Sequence, residues 1–169
     1  SSGIYQACAS GMVAVHQAHR MIQLGEVDLI AAGGAEHMSA VPYLSHSTRW
    51  GARYGDTSME DWLKTGLSCP VTSVAMGVTA ENVARRHAIG RQEQDEFAHW
   101  SQEKAAAAIK DGHFREEIVP LTFPAKRGEA TIFETDEHPR LSGVDRLGEL
   151  RAAFDKEGTV TAGNSSGIN

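Results

Sequence analysis

Cysteine is scarce in this chain: Cys8 and Cys69 are the only two in 169 residues. Two thiols build neither a disulfide framework nor a cysteine-rich zinc set, and a reducing, cytoplasmic setting is the expectation. Long apolar runs are missing as well. Nothing approaches the ~18 to 20 consecutive apolar residues that span a bilayer. The opening Ser1-Ser2-Gly3-Ile4 has no basic region ahead of an apolar core, so it does not read as a signal peptide, and a targeting segment upstream stays open. Basic clusters are few. Arg85-Arg86 and Lys126-Arg127 are the only Lys/Arg pairs and the formal net charge is −6, which excludes the cationic surface a nucleic-acid partner demands. Hydrophobic residues at 41% and charged residues at 22% still allow an ordinary globular core.

What is present centres on Gln6-Ala7-Cys8-Ala9-Ser10-Gly11-Met12-Val13-Ala14-Val15, a cysteine and small residues running into an apolar-periodic stretch. Met12, Val13, Val15, Ala18, Met21, Ile22 and Leu24 predict a helix over residues 9 to 24, largely buried between layers and stopped at Gly25. Unpaired amides and the positive end of the dipole at a helix start favour an anion, the setting in which a thiol becomes a nucleophile. A buried structural cysteine is the alternative that spacing alone leaves open. His16 and His19 stand three apart on the same helix, but no acidic or cysteine ligand falls beside them. They are assigned to packing or surface, and no metal site is expected.

Val27 to Gly34 reads as a buried strand, with the Gly33-Gly34 pair marking close backbone packing near Cys8. Tyr43 to Ser73 carries no sustained period and reads as a long ordered loop with at most short helices, one of them around Met59 to Leu63. A helical pair follows, one helix capped by Thr79 and running through Ala88, the next from Arg91 to about Lys110. On the second, Phe97, Trp100, Ala105, Ala108 and Ile109 are expected in the core, with Arg91, Glu93, Asp95 and Glu103 outward. Glu117 to Phe123 and Ala130 to Phe133 suggest two strands paired across a polar turn at Lys126 to Glu129. Leu147, Leu150 and Phe154 suggest a short amphipathic helix. Thr159-Val160-Thr161 suggests a strand ending in the small-residue turn Ala162-Gly163-Asn164-Ser165-Ser166-Gly167. The alternation of helices and strands is that of an α/β protein.

Four blocks in this order resemble the thiolases, the acetyl-CoA C-acetyltransferases and 3-ketoacyl-CoA thiolases. They are Cys8-Ala-Ser-Gly-Met with Asp28 to Ser39, Met76-Gly-Val-Thr-Ala-Glu-Asn-Val-Ala84, Glu116-Glu-Ile-Val-Pro120, and Thr159-Val-Thr-Ala-Gly-Asn-Ser-Ser-Gly-Ile-Asn169. The resemblance implies a thiolase-like α/β fold in which residues 1–41 are part of the N-terminal core, 42–163 form the α+β loop domain that covers coenzyme A, and 164–169 begin the return to the core. It implies acyl transfer through a Cys8 thioester, by thiolytic cleavage of a 3-ketoacyl-CoA or by Claisen condensation of acetyl-CoA. Coenzyme A and acyl-CoA enter as substrates with no covalently bound cofactor. CoA-facing roles fall on Met76, Arg140, Phe154, Ala162, Gly163 and Ser166, and the complete protein is expected to be a homodimer or homotetramer. The family's Gly-His-Pro and Cys-x-Gly motifs do not occur here: His138-Pro139 follows Glu137, and no glycine follows Cys69-Pro70. The expectation is therefore an internal piece of a longer chain, inactive alone. A thiolase-like acyl-CoA binding protein without turnover and a decarboxylating ketoacyl synthase are the other readings.

Overall fold

The computed structural model describes residues 1–125 and 128–168; the Lys126-Arg127 pair and Asn169 lie outside the described residues. The chain divides into two compact units, Ser1–Ser68 and Cys69–Asn169. Helices and short strands mix in both.

In the first unit, helix α1 spans Ser10–Gln23. It ends on Gly25, whose φ of +68° suits glycine; the Gly25 amide donates to the Ile22 carbonyl at 3.0 Å and the Glu26 amide to Met21 at 3.0 Å. The expected burial of this helix does not hold within these residues. Only Ala18 is buried, and Met12, Val15, Ile22 and Leu24 are exposed, because no second layer within the unit covers the apolar stripe. Val27 to Gly34 is likewise not a strand. It bends at Asp28 and has no ladder partner among the described residues, and Leu29 is 90% exposed. Within the expected loop a small antiparallel ribbon appears, β1 (Tyr43–Leu44) against β2 (Glu60–Asp61), followed by α2 (Trp62–Gly66). Asp61 caps α2 by accepting the Leu63 amide at 2.9 Å.

The second unit is built on α3 (Met76–His87) and α4 (Arg91–Lys110). Thr79 is not the cap of α3. Ala75 occupies that position, and the Thr79 hydroxyl donates to the Met76 carbonyl inside the first turn. Strands β3 (Leu121–Phe123) and β4 (Thr131–Phe133) pair antiparallel, with Thr122 opposite Ile132. β3 starts only after Pro120, which has no amide to give a ladder. Helix α5 covers Val144–Gly148. Phe97 and Trp100 are exposed rather than core, their rings 5.8 Å apart on the outer side of α4.

The buried side chains of this unit include two carboxylates. Asp95, expected to face outward, is 2% exposed, because the Arg91 guanidinium (2.7 Å) and the Asn164 amide (2.9 Å) satisfy it. Arg91 is thereby drawn inward too, and it also donates to the Leu147 carbonyl at 2.5 Å and the Leu150 carbonyl at 3.0 Å. Glu81, 1% exposed, accepts the Thr159 amide at 2.8 Å, the Thr159 hydroxyl at 3.1 Å and the Val160 amide at 2.8 Å. Thr159 to Thr161 makes no strand beyond an isolated bridge between Ala152 and Thr161. Glu81 takes the amides that a neighbouring strand would have taken.

Burial alone would push the Glu81 carboxyl up. The amides of Val160 and Thr159, the Thr159 hydroxyl and the Arg85 charge together hold it below its ordinary value of 4.5. A carboxylate whose folded pKa is depressed adds stability that is complete above the unfolded value and lost as pH falls through the folded one. We expect the complete protein to lose this contribution only below about pH 4.3, the ordinary glutamate range. Glu81→Gln, which turns an amide toward three donors, should cost about 1–3 kcal/mol at neutral pH. It should also flatten the acid limb of thermal denaturation followed by circular dichroism, and equal pH dependence in both proteins would refute the assignment.

Candidate active site

The first unit holds the candidate nucleophile. Cys8 lies two residues ahead of the first residue of α1, is exposed, and is a free thiol. The turn that presents it is tight. Ala7 adopts φ +47°, a left-handed conformation costly for a residue with a β-carbon, and Gln6 bridges to Cys8. Ser10 holds this turn: its hydroxyl donates to the Ala7 carbonyl at 2.7 Å and accepts the Gln6 amide at 2.8 Å. The backbone adds Ala9 N–H to Gln6 at 3.1 Å and Ser10 N–H to Ala7 at 3.1 Å. The amino end of a helix therefore follows the cysteine directly, with the Ala9 and Ser10 amides used by the turn and those of Gly11 and Met12 left for another acceptor.

Gly33-Gly34 returns to the same place. A β-carbon on Gly34 would stand 3.4 Å from the Gly11 α-carbon, an ordinary contact, so this segment passes against the backbone of the first turn of α1. His16 and His19 are exposed, and no group of metal-ligating side chains occurs among the described residues.

The six residues with expected CoA-facing roles all belong to the second unit. Met76 opens α3 and is half exposed. Its chain neighbour Gly77 packs against the Phe154 ring so closely that a β-carbon there would collide with it. Gly163 packs on Leu147 and Leu150, Ala162 and Ser166 are exposed on the same turn, and Gly167 lies against the His138 ring. Arg140 is exposed two residues beyond His138; its backbone amide donates to Gln102 Oε1 at 2.8 Å. Two neighbourhoods result, one in which Gly77, next to Met76 in the chain, meets Phe154, and one in which the 162–167 turn meets His138 near Arg140.

The turn is held by side chains of the motif itself and by one carboxylate outside it, Asp95. Asn164 accepts the Thr161 amide at 2.7 Å while donating to Asp95 and to the Thr159 carbonyl at 3.0 Å. The Thr161 hydroxyl accepts the Gly163 amide at 3.1 Å, and Ser165 donates to the Thr161 carbonyl at 2.6 Å. Sequence reasoning missed Ser10, Glu81, Asp95, Asn164 and Gln102. Only Ser10 left a signal, as the lone hydroxyl in the small-residue run after Cys8. The second thiol, Cys69, is partly exposed and is held below the ordinary thiol value by the Thr72 hydroxyl first, then by the Thr72 and Val71 amides.

Chemically, the first unit offers an accessible sulfur at a helix start. The second carries small residues, a phenyl ring, a thioether and a guanidinium, divided between these two neighbourhoods.

Comparison with known proteins agrees with this inventory. The sequence matches the family described as Thiolase, N-terminal domain, over residues 1–169. It is 46% identical over 168 residues to the acetyl-CoA acetyltransferase of Thiocystis violacea, covering 98% of this chain and 43% of that protein. The acetyl-CoA acetyltransferase structure from Syntrophomonas wolfei superposes with a TM-score of 0.89 at 38% identity, over 100% of this chain and 43% of that one. Human mitochondrial 3-ketoacyl-CoA thiolase in complex with CoA superposes with a TM-score of 0.84 at 35% identity, over 95% of this chain and 40% of that one. The α/β thiolase-like fold expected from sequence is therefore the fold of this chain, which spans less than half the length of these proteins.

Replacing Ser10 by alanine removes both side-chain bonds of the cysteine turn, each worth about 1 kcal/mol. In the complete protein, exchange of the turn's bonded amides at Gln6, Ala9 and Ser10 should rise by on the order of thirtyfold while α4 is unchanged. Unaltered exchange would mean that Ser10 does not hold the turn.

Proposed function

The chain belongs to the thiolase family, and we propose on that premise that the complete protein is an acyl-CoA C-acyltransferase whose acyl carrier is Cys8. The observation that carries the proposal is the exposed Cys8 on a strained, Ser10-held turn at the start of α1. In the thiolytic direction the Cys8 thiolate attacks the 3-keto carbonyl. The bond between C2 and C3 breaks, acetyl-CoA leaves after its enolate is protonated, and the shortened acyl group stays on sulfur as a thioester. The thiol of free CoA then attacks that thioester, forming the shortened acyl-CoA and returning the Cys8 thiolate. In the synthetic direction Cys8 carries an acetyl group that the enolate of a second acetyl-CoA attacks. First-turn amides of α1 are suited to stabilise the oxyanion, because their dipoles are fixed before the reaction starts.

CoA occupies the second unit in this reading. Arg140 meets the phosphates of the nucleotide end, Ser166, Ala162 and Gly163 meet the pantetheine arm, and Phe154 and Met76 supply apolar contact. No Gly-His-Pro or Cys-x-Gly motif occurs in these residues. We place the protein in the cytoplasm, where two free thiols stay reduced. No helix among the described residues is long and apolar enough to cross a membrane.

In the complete protein, Cys8→Ser should abolish the acetyl adduct formed with acetyl-CoA, located on its peptide by mass spectrometry to distinguish it from Cys69. Turnover should fall by on the order of a thousandfold or more while CoA still binds. An acetyl group still captured by the serine variant on any residue other than position 8, where a hydroxyl could itself take an oxyester, would sink the assignment. Family membership is the ground for an oligomeric form of the complete protein. Self-association as a homodimer or homotetramer is the form we infer, and a monomer at micromolar concentration in sedimentation would contradict it.

A further inference from the structure

We propose that Gln102 and His99 are positioning residues for Arg140, a two-point clamp from α4 on the backbone that carries the guanidinium. The inference rests on the nucleotide-facing role given to Arg140 above. Residues 134–143 belong to no helix or strand, and Pro139 has no amide to offer a partner. Left to itself, such a segment would have to be ordered when a ligand binds, at a cost in affinity. Two side chains of α4 do that ordering beforehand. Gln102 Oε1 accepts the Arg140 amide at 2.8 Å, and His99 Nδ1 lies 2.8 Å from the Ser142 carbonyl, so Nδ1 carries the proton it donates.

The two residues are three apart on one helix and therefore share a face. They grip residues two apart in the segment and leave the Arg140 side chain exposed. The second ring nitrogen of His99 stands 3.4 Å from Glu103, which steadies the ring. The bond from Gln102 goes to the main chain, so it acts on where Arg140 stands and not on its charge. Affinity for the phosphate-bearing end of CoA should depend on Gln102, while affinity for the pantetheine end should not.

The test is calorimetric titration of the complete protein with CoA and, separately, with pantetheine, which lacks the nucleotide. Arg140→Ala should weaken CoA by roughly ten- to a hundredfold, the scale of a lost charge-assisted contact. Gln102→Ala and His99→Ala should each weaken CoA by about fivefold, leave pantetheine binding and kcat at wild-type values, and raise KM for CoA. CoA binding that survives Gln102→Ala, in a protein where Arg140→Ala weakens it, overturns the clamp alone. Equal loss for CoA and pantetheine overturns it too, since that is general loosening. No effect of Arg140→Ala removes the nucleotide role of Arg140, and the clamp with it.

Discussion

A carboxylate with almost no access to water organises the second unit. Glu81 projects from α3 and gathers the amides of Thr159 and Val160, groups that would otherwise be buried without partners. Leaving such donors unmet costs more than an average hydrogen bond gains, so the segment's path is fixed by a penalty for leaving it as much as by attraction. Arg91, Asp95 and Asn164 extend the arrangement across α4, and Arg91 ties it to the end of α5 through the carbonyls of Leu147 and Leu150. The turn from Ala162 to Gly167 needs no ladder of its own because these side chains hold its stem. A polar network of this kind specifies one arrangement only when every member is satisfied, and no buried side-chain nitrogen or oxygen among the described residues lacks a partner.

The first unit solves a different problem by local means. Everything that shapes the cysteine turn lies within Gln6 to Val13, apart from the contact of Gly34 with Gly11. A nucleophile has to be both accessible and fixed, and a strained backbone achieves this where its neighbours over-determine it. Ser10 accomplishes that with one hydroxyl used in both directions. The two units thus supply separate parts of one proposed chemistry: a short, self-contained presentation of sulfur, and a ligand surface assembled from residues as distant in sequence as Gly77 and Phe154.

Periodic and local features were legible in the sequence. The bounds of α1, α3 and α4 follow from apolar spacing and from Gly25 and Gly90, and the pairing of β3 with β4 follows from two apolar runs around a polar turn. Burial was the poorer inference. Asp95 reads as a surface residue because nothing in a helical repeat distinguishes a solvated carboxylate from one paired with an arginine four residues before it and an asparagine far along the chain. The error runs the other way for Val27 to Gly34 and for the stripe of α1: their composition is that of interior segments, yet the layers they need are not among these residues. Cys8 and the small-residue turn were visible as motifs, whereas the side chains that hold them, Ser10, Glu81 and Asn164, were not, since hydrogen-bond geometry has no period.

Gly158 carries an implication for how this sequence can drift. A β-carbon at that position would occupy the space of the Glu81 carboxylate, so the absent side chain at 158 and the long acidic one at 81 are two halves of a single fit. Substitutions at such touching positions do not add. A larger residue at 158 becomes tolerable only after 81 has shortened, and a shortened 81 has already released the amides it served. A change at either position therefore alters what the other can hold, and Asp155, whose β-carbon a side chain at 158 would also meet at 3.0 Å, narrows the choice further.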